Sequence, residues 1–297
     1  MLFVFMQYKI QELKDKNKIN TARKYAVTLR RFSAYRNLTD IPLEELTTKE
    51  LKSFEDYLVG RGMVMNTVSF YMRILRAVYN KAIIEGVIPP GKPFATVYTG
   101  VARTKKRAID EKIIRQLQLF QLKPNLAFAR DMFLFSFYTR GMSFIDMANL
   151  KKDSVINGVI AYKRKKTGQQ ILVGLEPCMT EIIKRYGEMT KGSDYLLPLL
   201  YRNGEAIKYE TALRSQNQRL KNISKQLGLL KNLTTYVSRH TWATIARSKG
   251  ISLPIISEGM GHTSEQTTRI YLSSLDHRII DRANRKIIRK ENLEGRL

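Results

Sequence analysis

The sequence predicts a mainly α-helical protein with one small antiparallel sheet, an α+β chain in two domains. Three observations carry this. Apolar residues recur at spacings of three and four along most of the chain. The period switches to two over a single stretch, residues 154–175. A length of 297 residues is too much for one ordinary core and enough for two. Hydrophobic residues make up 43% and aromatic residues 9%, near the globular average, which excludes a disordered polymer or a membrane bundle.

The opening Met1-Leu2-Phe3-Val4-Phe5-Met6 is apolar. It is too short for a secretory signal, lacks a preceding basic stretch and runs directly into Gln7 and Lys9. It reads as the start of a cytoplasmic chain whose first helix begins near residue 7, with Met6 as an alternative start to Met1. Over residues 21–36, Ala22, Tyr25, Ala26, Leu29 and Phe32 share a helical face, with Arg23, Lys24, Arg30 and Arg31 elsewhere around the helix. After a turn from Asn37 to Pro42, a second helix runs from Thr48 to about Val59, ended by Gly60 and Gly62. A third follows Asn66, where Val68, Tyr71, Met72, Leu75, Val78, Tyr79 and Ala82 form the apolar stripe and Arg73, Arg76 and Lys81 face outward.

Between Gly86 and Lys106 this pattern dissolves into Gly86, Pro89, Pro90, Gly91 and Pro93, then a basic cluster of Arg103, Lys105, Lys106 and Arg107. The boundary is therefore placed here, giving a helical domain over 1–100, a basic linker over 101–107 and a second domain over 108–297. The second domain opens with a helix from Asp110 to Leu122, its acidic first turn suiting the helix dipole, and a nearly continuous apolar core helix from Leu126 to Tyr138. Then come three short antiparallel strands, Val155-Ile156, Val159 to Tyr162 and Ile171 to Val173. A hairpin-type Asn157-Gly158 joins the first two and a polar loop from Lys163 to Gln169 joins the others. Everything after Pro177 returns to helical signals, including Thr211 to Gln226, His240 to Lys249 and Ser264 to Ser273.

Charge narrows the function. With 52 Lys+Arg against 26 Asp+Glu the formal net charge is +26, which points to a polyanionic partner, nucleic acid before anionic membrane. No run of eighteen apolar residues occurs, so no segment spans a bilayer. A single cysteine, Cys178, excludes an internal disulfide or a multi-cysteine metal site. Phosphate-loop and dinucleotide fingerprints are missing, and the three histidines, His240, His262 and His277, form no zinc motif.

Three boxes remain. Tyr236-Val237-Ser238-Arg239-His240 is followed by Gly259-Met260-Gly261-His262, and nine residues after His262 by Tyr271 within Thr267-Thr268-Arg269-Ile270-Tyr271. In this order and spacing, at the C-terminal end of a basic two-domain chain, they resemble the tyrosine recombinase (phage integrase) family. The resemblance implies an N-terminal core-binding domain of SAM-like type and a catalytic domain, closing as a C-shaped clamp on DNA. It implies Tyr271 as the nucleophile, giving a 3′-phosphotyrosine, Arg239 as a clamp on the scissile phosphate, and His262 as a hydrogen-bond donor to it. Arginine's planar fork suits a phosphate that gains charge without a metal. The family also carries a general-acid lysine on a β-hairpin, often in a KTG sequence, and Lys166-Thr167-Gly168 lies in the matching loop, with Lys163 and Lys165 as rivals.

Two positions depart from the family pattern. In Thr139-Arg140-Gly141-Met142-Ser143-Phe144-Ile145-Asp146, Ser143 aligns where the first catalytic arginine belongs, and Arg140 is the expected substitute. Tyr236 occupies the histidine position three residues before Arg239; a phenol donates a hydrogen bond but does not replace imidazole as a base near neutral pH. The same departures resemble the Bacteroides-type branch, which includes conjugative-transposon integrases and DNA invertases.

By the resemblance, the reaction is strand exchange between two specific duplex DNA sites by a homotetramer through a Holliday junction, whether integration, excision or inversion. No metal or cofactor is required, and accessory DNA-bending proteins are further partners. DNA contacts fall to Arg73, Arg76, Arg103, Lys105, Lys106 and Arg107. The first helix leaves no room for an additional N-terminal arm-binding domain, which favours inversion or resolution. From Leu275 to Leu297, Arg278, Arg282, Arg285, Lys286, Arg289 and Lys290 lie beside Ile279, Ile280, Ile287 and Ile288, and the resemblance makes this a helix donated to a neighbouring protomer. Rival readings are an accessory DNA-binding protein of this fold that has lost catalysis, favoured by Ser143 and Tyr236, and a type IB topoisomerase. The scattered basic residues speak against a membrane-surface protein.

Overall fold

In the computed structural model, which describes residues 1–102, 107–262 and 268, the chain divides into two compact units, Met1–Thr104 and Lys105–Leu297. The first is a helical bundle of α1 (Leu2–Asp15), α2 (Ile19–Tyr35), α3 (Thr48–Gly60) and α4 (Met65–Ile84). Helix α1 starts at Leu2, not near residue 7. The apolar opening is helical because Leu2, Met6 and Ile10, four residues apart, all insert into the bundle core. Its first N–H groups, which an isolated helix leaves unpaired, find acceptors far along the chain. Leu2 donates to the Ile41 carbonyl at 2.8 Å, and Phe3 to Asp40 Oδ1 at 2.8 Å.

Phe32 of α2 meets Phe54 of α3 edge to face at 4.8 Å, and the α4 stripe from Val68 to Ala82 closes the core. Thr47 caps α3, its hydroxyl accepting from the Glu50 N–H. Beyond α4 the chain stays attached to this unit. Ile88, Phe94 and Val97 are buried in its core, Asn66 exchanges two hydrogen bonds with the Ala102 backbone, and Ser69 donates to the Gly100 carbonyl at 2.6 Å.

The second unit is built on α6 (Pro124–Tyr138), preceded by α5 (Glu111–Leu119), whose N-cap Asp110 accepts from the Lys112 N–H. Helix α6 carries buried residues on all sides because α9 (Tyr209–Gln226), α10 (Val237–Ser248) and α8 (Pro177–Tyr186) pack around it. Its one buried carboxylate, Asp131, accepts from Arg130, Arg185 and Tyr186. The short α7 (Phe144–Ala148) leads to a sheet of order β1-β2-β3, with β1 (Val155–Ile156), β2 (Val159–Lys163) and β3 (Gln170–Gly174) antiparallel throughout. The β1–β2 turn places Asn157 and Gly158 at φ 48° and 75°, the left-handed pair its sequence demands.

Two strands fall where helical signals alone were expected. Tyr201–Arg202 (β4) and Glu205–Ala206 (β5) form a second hairpin around Asn203-Gly204, too short to register as a period-two run. Helix α11 (Leu253–Gly259) completes the described elements. The expected helix over Ser264 to Ser273 lies outside the described residues apart from Thr268, as does the basic segment from Leu275 to Leu297. Among the described residues no helix is long and apolar enough to cross a membrane.

Candidate functional site

The site is built around the end of α6. Thr139 closes the helix by donating to the Phe135 carbonyl at 2.7 Å, and the chain reverses through Arg140 (φ 60°) and Gly141 (φ 75°). Only a glycine fits the second position. A Cβ on Gly141 would lie 2.7 Å from Arg239 Cα and 2.9 Å from its Cγ, so this turn rests directly on α10. The two elements are also joined by buried hydroxyls, Ser136 Oγ lying 2.7 Å from Ser238 Oγ and donating to the Met142 carbonyl.

This packing holds Arg239 with its side chain inward, 3% exposed. Its guanidinium donates to the Gly141 carbonyl from Nη1 at 2.7 Å and to the Met260 carbonyl from Nη2 at 2.5 Å. Nη2 also lies 2.9 Å from His262 Nε2. Burial, then the positive charges of Arg239, Arg164 and Lys166, push the His262 imidazole down to about 3, so it is neutral at physiological pH. Its Nδ1 is 2.7 Å from the hydroxyl of fully buried Thr268.

The β2–β3 loop brings a second guanidinium that sequence reasoning missed. Arg164, 5% exposed, donates from Nη1 to the Gly261 carbonyl, the neighbour of the Met260 carbonyl held by Arg239. Two guanidiniums thus converge on one turn, Met260-Gly261-His262. The Arg164 Nε lies 4.0 Å from Asp146 Oδ2, and this buried N–H has no hydrogen-bond partner among the described residues. Asp146 also accepts from the Lys165 N–H at 2.8 Å, fixing the base of the loop. A signal for Arg164 was present in the alternation of β2, where residues 160, 162 and 164 share parity and Ile160 is the core residue of the strand. The flanking lysines at 163, 165 and 166, all exposed, masked it.

Ser143, the aligned first-arginine position, is the N-cap of α7. Its hydroxyl donates to Asp146 Oδ2 at 2.5 Å and accepts from the Asp146 N–H, so it shapes the turn that presents Asp146. Arg140 lines an adjacent cleft of about 460 Å³ with Gln170, Leu172, Trp242, Ile255 and Glu258. One phenol registers all three arginines. Tyr162 is pushed up to about 12 by burial and then by Asp146, against the opposing fields of Arg239, Arg164 and Arg140. Tyr236 is 42% exposed, its ring edge-on to His240 at 4.7 Å. His240 is pushed down to about 4 by burial, then by Arg107 and Arg239.

Lys166 is exposed in the β2–β3 loop, close enough for its charge to act on His262. Arg73 and Arg76 lie one turn apart on the exposed face of α4, and Arg107 is exposed in the second unit. Tyr271, Arg103, Lys105 and Lys106 lie outside the described residues. Among the described residues, no three His, Cys, Asp or Glu side chains come together as a metal-binding group.

Comparison with known proteins gives this geometry a context. A family model described as the phage integrase SAM-like domain matches residues 1–97, and one described as the phage integrase family matches residues 109–278. The chain is similar to tyrosine recombinase XerA of Pyrococcus furiosus, 25% identical over 267 residues, covering 88% of this chain and 85% of the relative. It is similar to tyrosine recombinase XerD of Rhizobium meliloti, 21% identical over 284 residues, covering 88% and 87%. Among solved structures it is similar to a lambda integrase dimer bound to a COC′ core site, with TM-score 0.72, 19% identity and coverage of 92% and 97%. It is also similar to the Tn1549 transposon integrase in complex with transposon right end DNA, with TM-score 0.75, 16% identity and coverage of 96% and 99%. At these identities the structural likeness is one of fold.

Proposed function

This chain belongs to the phage integrase family, and on that premise we propose that it is a site-specific tyrosine recombinase, cutting and rejoining duplex DNA at defined sites. The observation that carries the reading is the convergence of Arg239 and Arg164 on the Met260-Gly261-His262 turn, with Lys166 on the same loop as Arg164. A phosphate undergoing in-line attack spreads charge over its non-bridging oxygens, and fixed guanidiniums stabilise that charge without a metal. The buried Nε–H of Arg164, without a hydrogen-bond partner among the described residues, is a donor that an incoming phosphate oxygen would satisfy. Arg164 therefore takes the part of the arginine absent at Ser143, with Arg140 at the mouth of the neighbouring cleft.

In this reading the Tyr271 phenol releases its proton to solvent as its oxygen attacks phosphorus, the bond to the 5′-oxygen breaks, and Lys166 delivers a proton to that oxygen. The phosphotyrosine conserves the bond, so a 5′-hydroxyl from the second duplex closes the strand by the reverse steps, without nucleotide. Four protomers on two sites complete the exchange through a Holliday junction, acting on DNA in the cytoplasm. Arg73, Arg76 and Arg107, with Arg103, Lys105 and Lys106, supply contacts to the phosphate backbone.

The test uses a duplex carrying the candidate site and a nick that traps cleavage, incubated with the full chain in EDTA. An SDS-resistant, protease-sensitive complex formed by the native protein and absent in Tyr271→Phe is the expected result. Specific binding with no covalent complex would instead assign the chain to the accessory class that Ser143 suggests.

A further inference from the structure

A single residue brackets the carbonyl that seats Arg239. Arg239 Nη1 donates to the Gly141 carbonyl at 2.7 Å, and the groups on either side of that carbonyl are both held by Ser136. The Gly141 N–H donates to the Ser136 backbone carbonyl at 2.8 Å, and the Ser136 hydroxyl donates to the Met142 carbonyl at 2.7 Å. Gly141 stands at φ 75° with no side chain to restrict it, so these two bonds fix where its carbonyl points. The same hydroxyl lies 2.7 Å from Ser238 Oγ, on the residue next to Arg239 in α10. Ser136, Ser238 and Met142 are all buried, so each lost bond strands a polar group away from water.

The hydrogens of this row can be counted. Ser238 Oγ is also 3.0 Å from the Thr235 carbonyl, so the Thr235 carbonyl, the two hydroxyls and the Met142 carbonyl make three contacts that share two hydrogens. Two hydroxyl oxygens 2.7 Å apart repel unless a hydrogen lies between them, so the middle contact keeps one and one end goes without. The Met142 end has the usual O–H···O length, whereas the Thr235 end is at its upper limit. We propose that Ser136 is a positioning residue for Arg239: Ser238 donates to Ser136 and Ser136 to the Met142 carbonyl, a directed tie from α10 to the turn that aims the Gly141 carbonyl and with it the guanidinium. The catalytic consequence rests on the recombinase reading; the order of the hydrogens does not. In this order the two serines are unequal. Removing the Ser136 hydroxyl strands the Met142 carbonyl and unties the turn from α10. Removing the Ser238 hydroxyl leaves the bond to Met142 in place and takes away only the donor that polarises it.

The experiment has two arms on the full chain. In the first, covalent-complex formation on the nicked duplex is timed in single turnover. Ser136→Ala is expected to slow it about tenfold, the worth of one well-placed hydrogen bond, and Ser238→Ala about threefold, with DNA affinity unchanged in both. The double variant is expected to match Ser136→Ala, because both hydroxyls act through one carbonyl. Ser224→Ala separates positioning from stability: its buried hydroxyl donates to the Leu220 carbonyl and accepts from the Leu233 N–H, so urea stability should fall while the cleavage rate is kept. A native rate in Ser136→Ala, a loss in Ser238→Ala as large as in Ser136→Ala, additive losses in the double variant, or equal slowing in Ser224→Ala each overturn the inference. If Ser136→Ala does not fold, Ser136→Cys, close in volume and a weak donor, carries the same comparisons. In the second arm, guanidinium ¹⁵N–¹H spectra of the protein without DNA, with Arg239 signals assigned by their loss in Arg239→Lys, report the arginine directly. Those signals are expected to shift in Ser136→Ala and to stay in place in Ser224→Ala; unmoved signals in Ser136→Ala overturn the inference. A native chain that forms no covalent complex refutes the recombinase reading, while the spectra still decide whether Ser136 holds Arg239.

Discussion

Replacing Gly141 by alanine attacks the joint on which the site depends. The residue sits at φ +75°, where an L side chain costs about 1–2 kcal/mol. The added Cβ would stand 2.7 Å from Arg239 Cα, 2.9 Å from its Cγ and 3.0 Å from its Cβ, all close to the backbone of one residue, so no flexible end can swing away. Relieving that overlap requires the turn and α10 to part by roughly half an ångström or more, and overpacking of this kind costs about 1–3 kcal/mol. The sum is a destabilisation of about 2–5 kcal/mol. Because the displaced atoms belong to Arg239, the cleavage rate should fall further than stability explains, by tens of fold to about 100-fold. Gly158→Ala is the control, since its φ is also +75° but nothing lies within 4 Å of the added methyl. Urea unfolding and the rate of covalent trapping, measured on both variants, separate backbone strain from the clash. Equal losses in Gly141→Ala and Gly158→Ala would refute the packing argument.

Further expectations follow from the same geometry. Arg164→Ala should lower the cleavage rate about 10³-fold, with little rescue by Arg164→Lys, because lysine lacks the fork that spans the Gly261 carbonyl and a phosphate. Arg140→Ala should cost less than Arg164→Ala, and the reverse order, read by single-turnover trapping, would move the second guanidinium to Arg140. Asp131→Ala, which strands Arg130 and Tyr186 beside a buried gap, should destabilise the fold by about 3 kcal/mol in urea titrations while leaving DNA affinity unchanged. Stability should also fall in mild acid. His262 and His240 are pushed down to about 3 and about 4, so between pH 6.5 and those values only the unfolded chain takes up their protons. The stabilisation is complete above pH 6.5 and is lost on acidification by at most roughly 1.4 kcal/mol per pH unit for each histidine; a flat urea midpoint from pH 7 to pH 5 would contradict it. Finally, with a net charge of +26, DNA affinity should drop about 10³-fold or more between roughly 50 and 200 mM salt, measured by fluorescence anisotropy.

Much of the scaffold was legible because local rules sufficed. The α4 stripe from Val68 to Ala82, the apolar α6 and the Asn157-Gly158 turn each follow from spacing and backbone preference within a single segment. What escaped depended on partners distant in sequence. The start of α1 is stabilised by Asp40 and Ile41, more than thirty residues on, which no periodicity near residue 2 reveals. The same holds in the site. The resemblance to the tyrosine recombinase family marked Arg239 and His262 as candidates, but the sequence showed Arg164 only as one cation in a run of four. Its burial arises from strand parity together with a carbonyl 97 residues away. Ser143, conspicuous as the position that lacks an arginine, is a helix cap, a role set by Asp146 three residues later.

The proposed reaction makes and breaks a phosphodiester through Tyr271 with guanidiniums and no metal. The most direct measurement is mass spectrometry of the protein trapped on a nicked site duplex in EDTA, digested with protease and nuclease. The expected result is a nucleotide adduct on the peptide that contains Tyr271, carried on the phenol oxygen through a 3′-phosphate. An adduct on any other residue, or a complex that forms only when magnesium is restored, would contradict it.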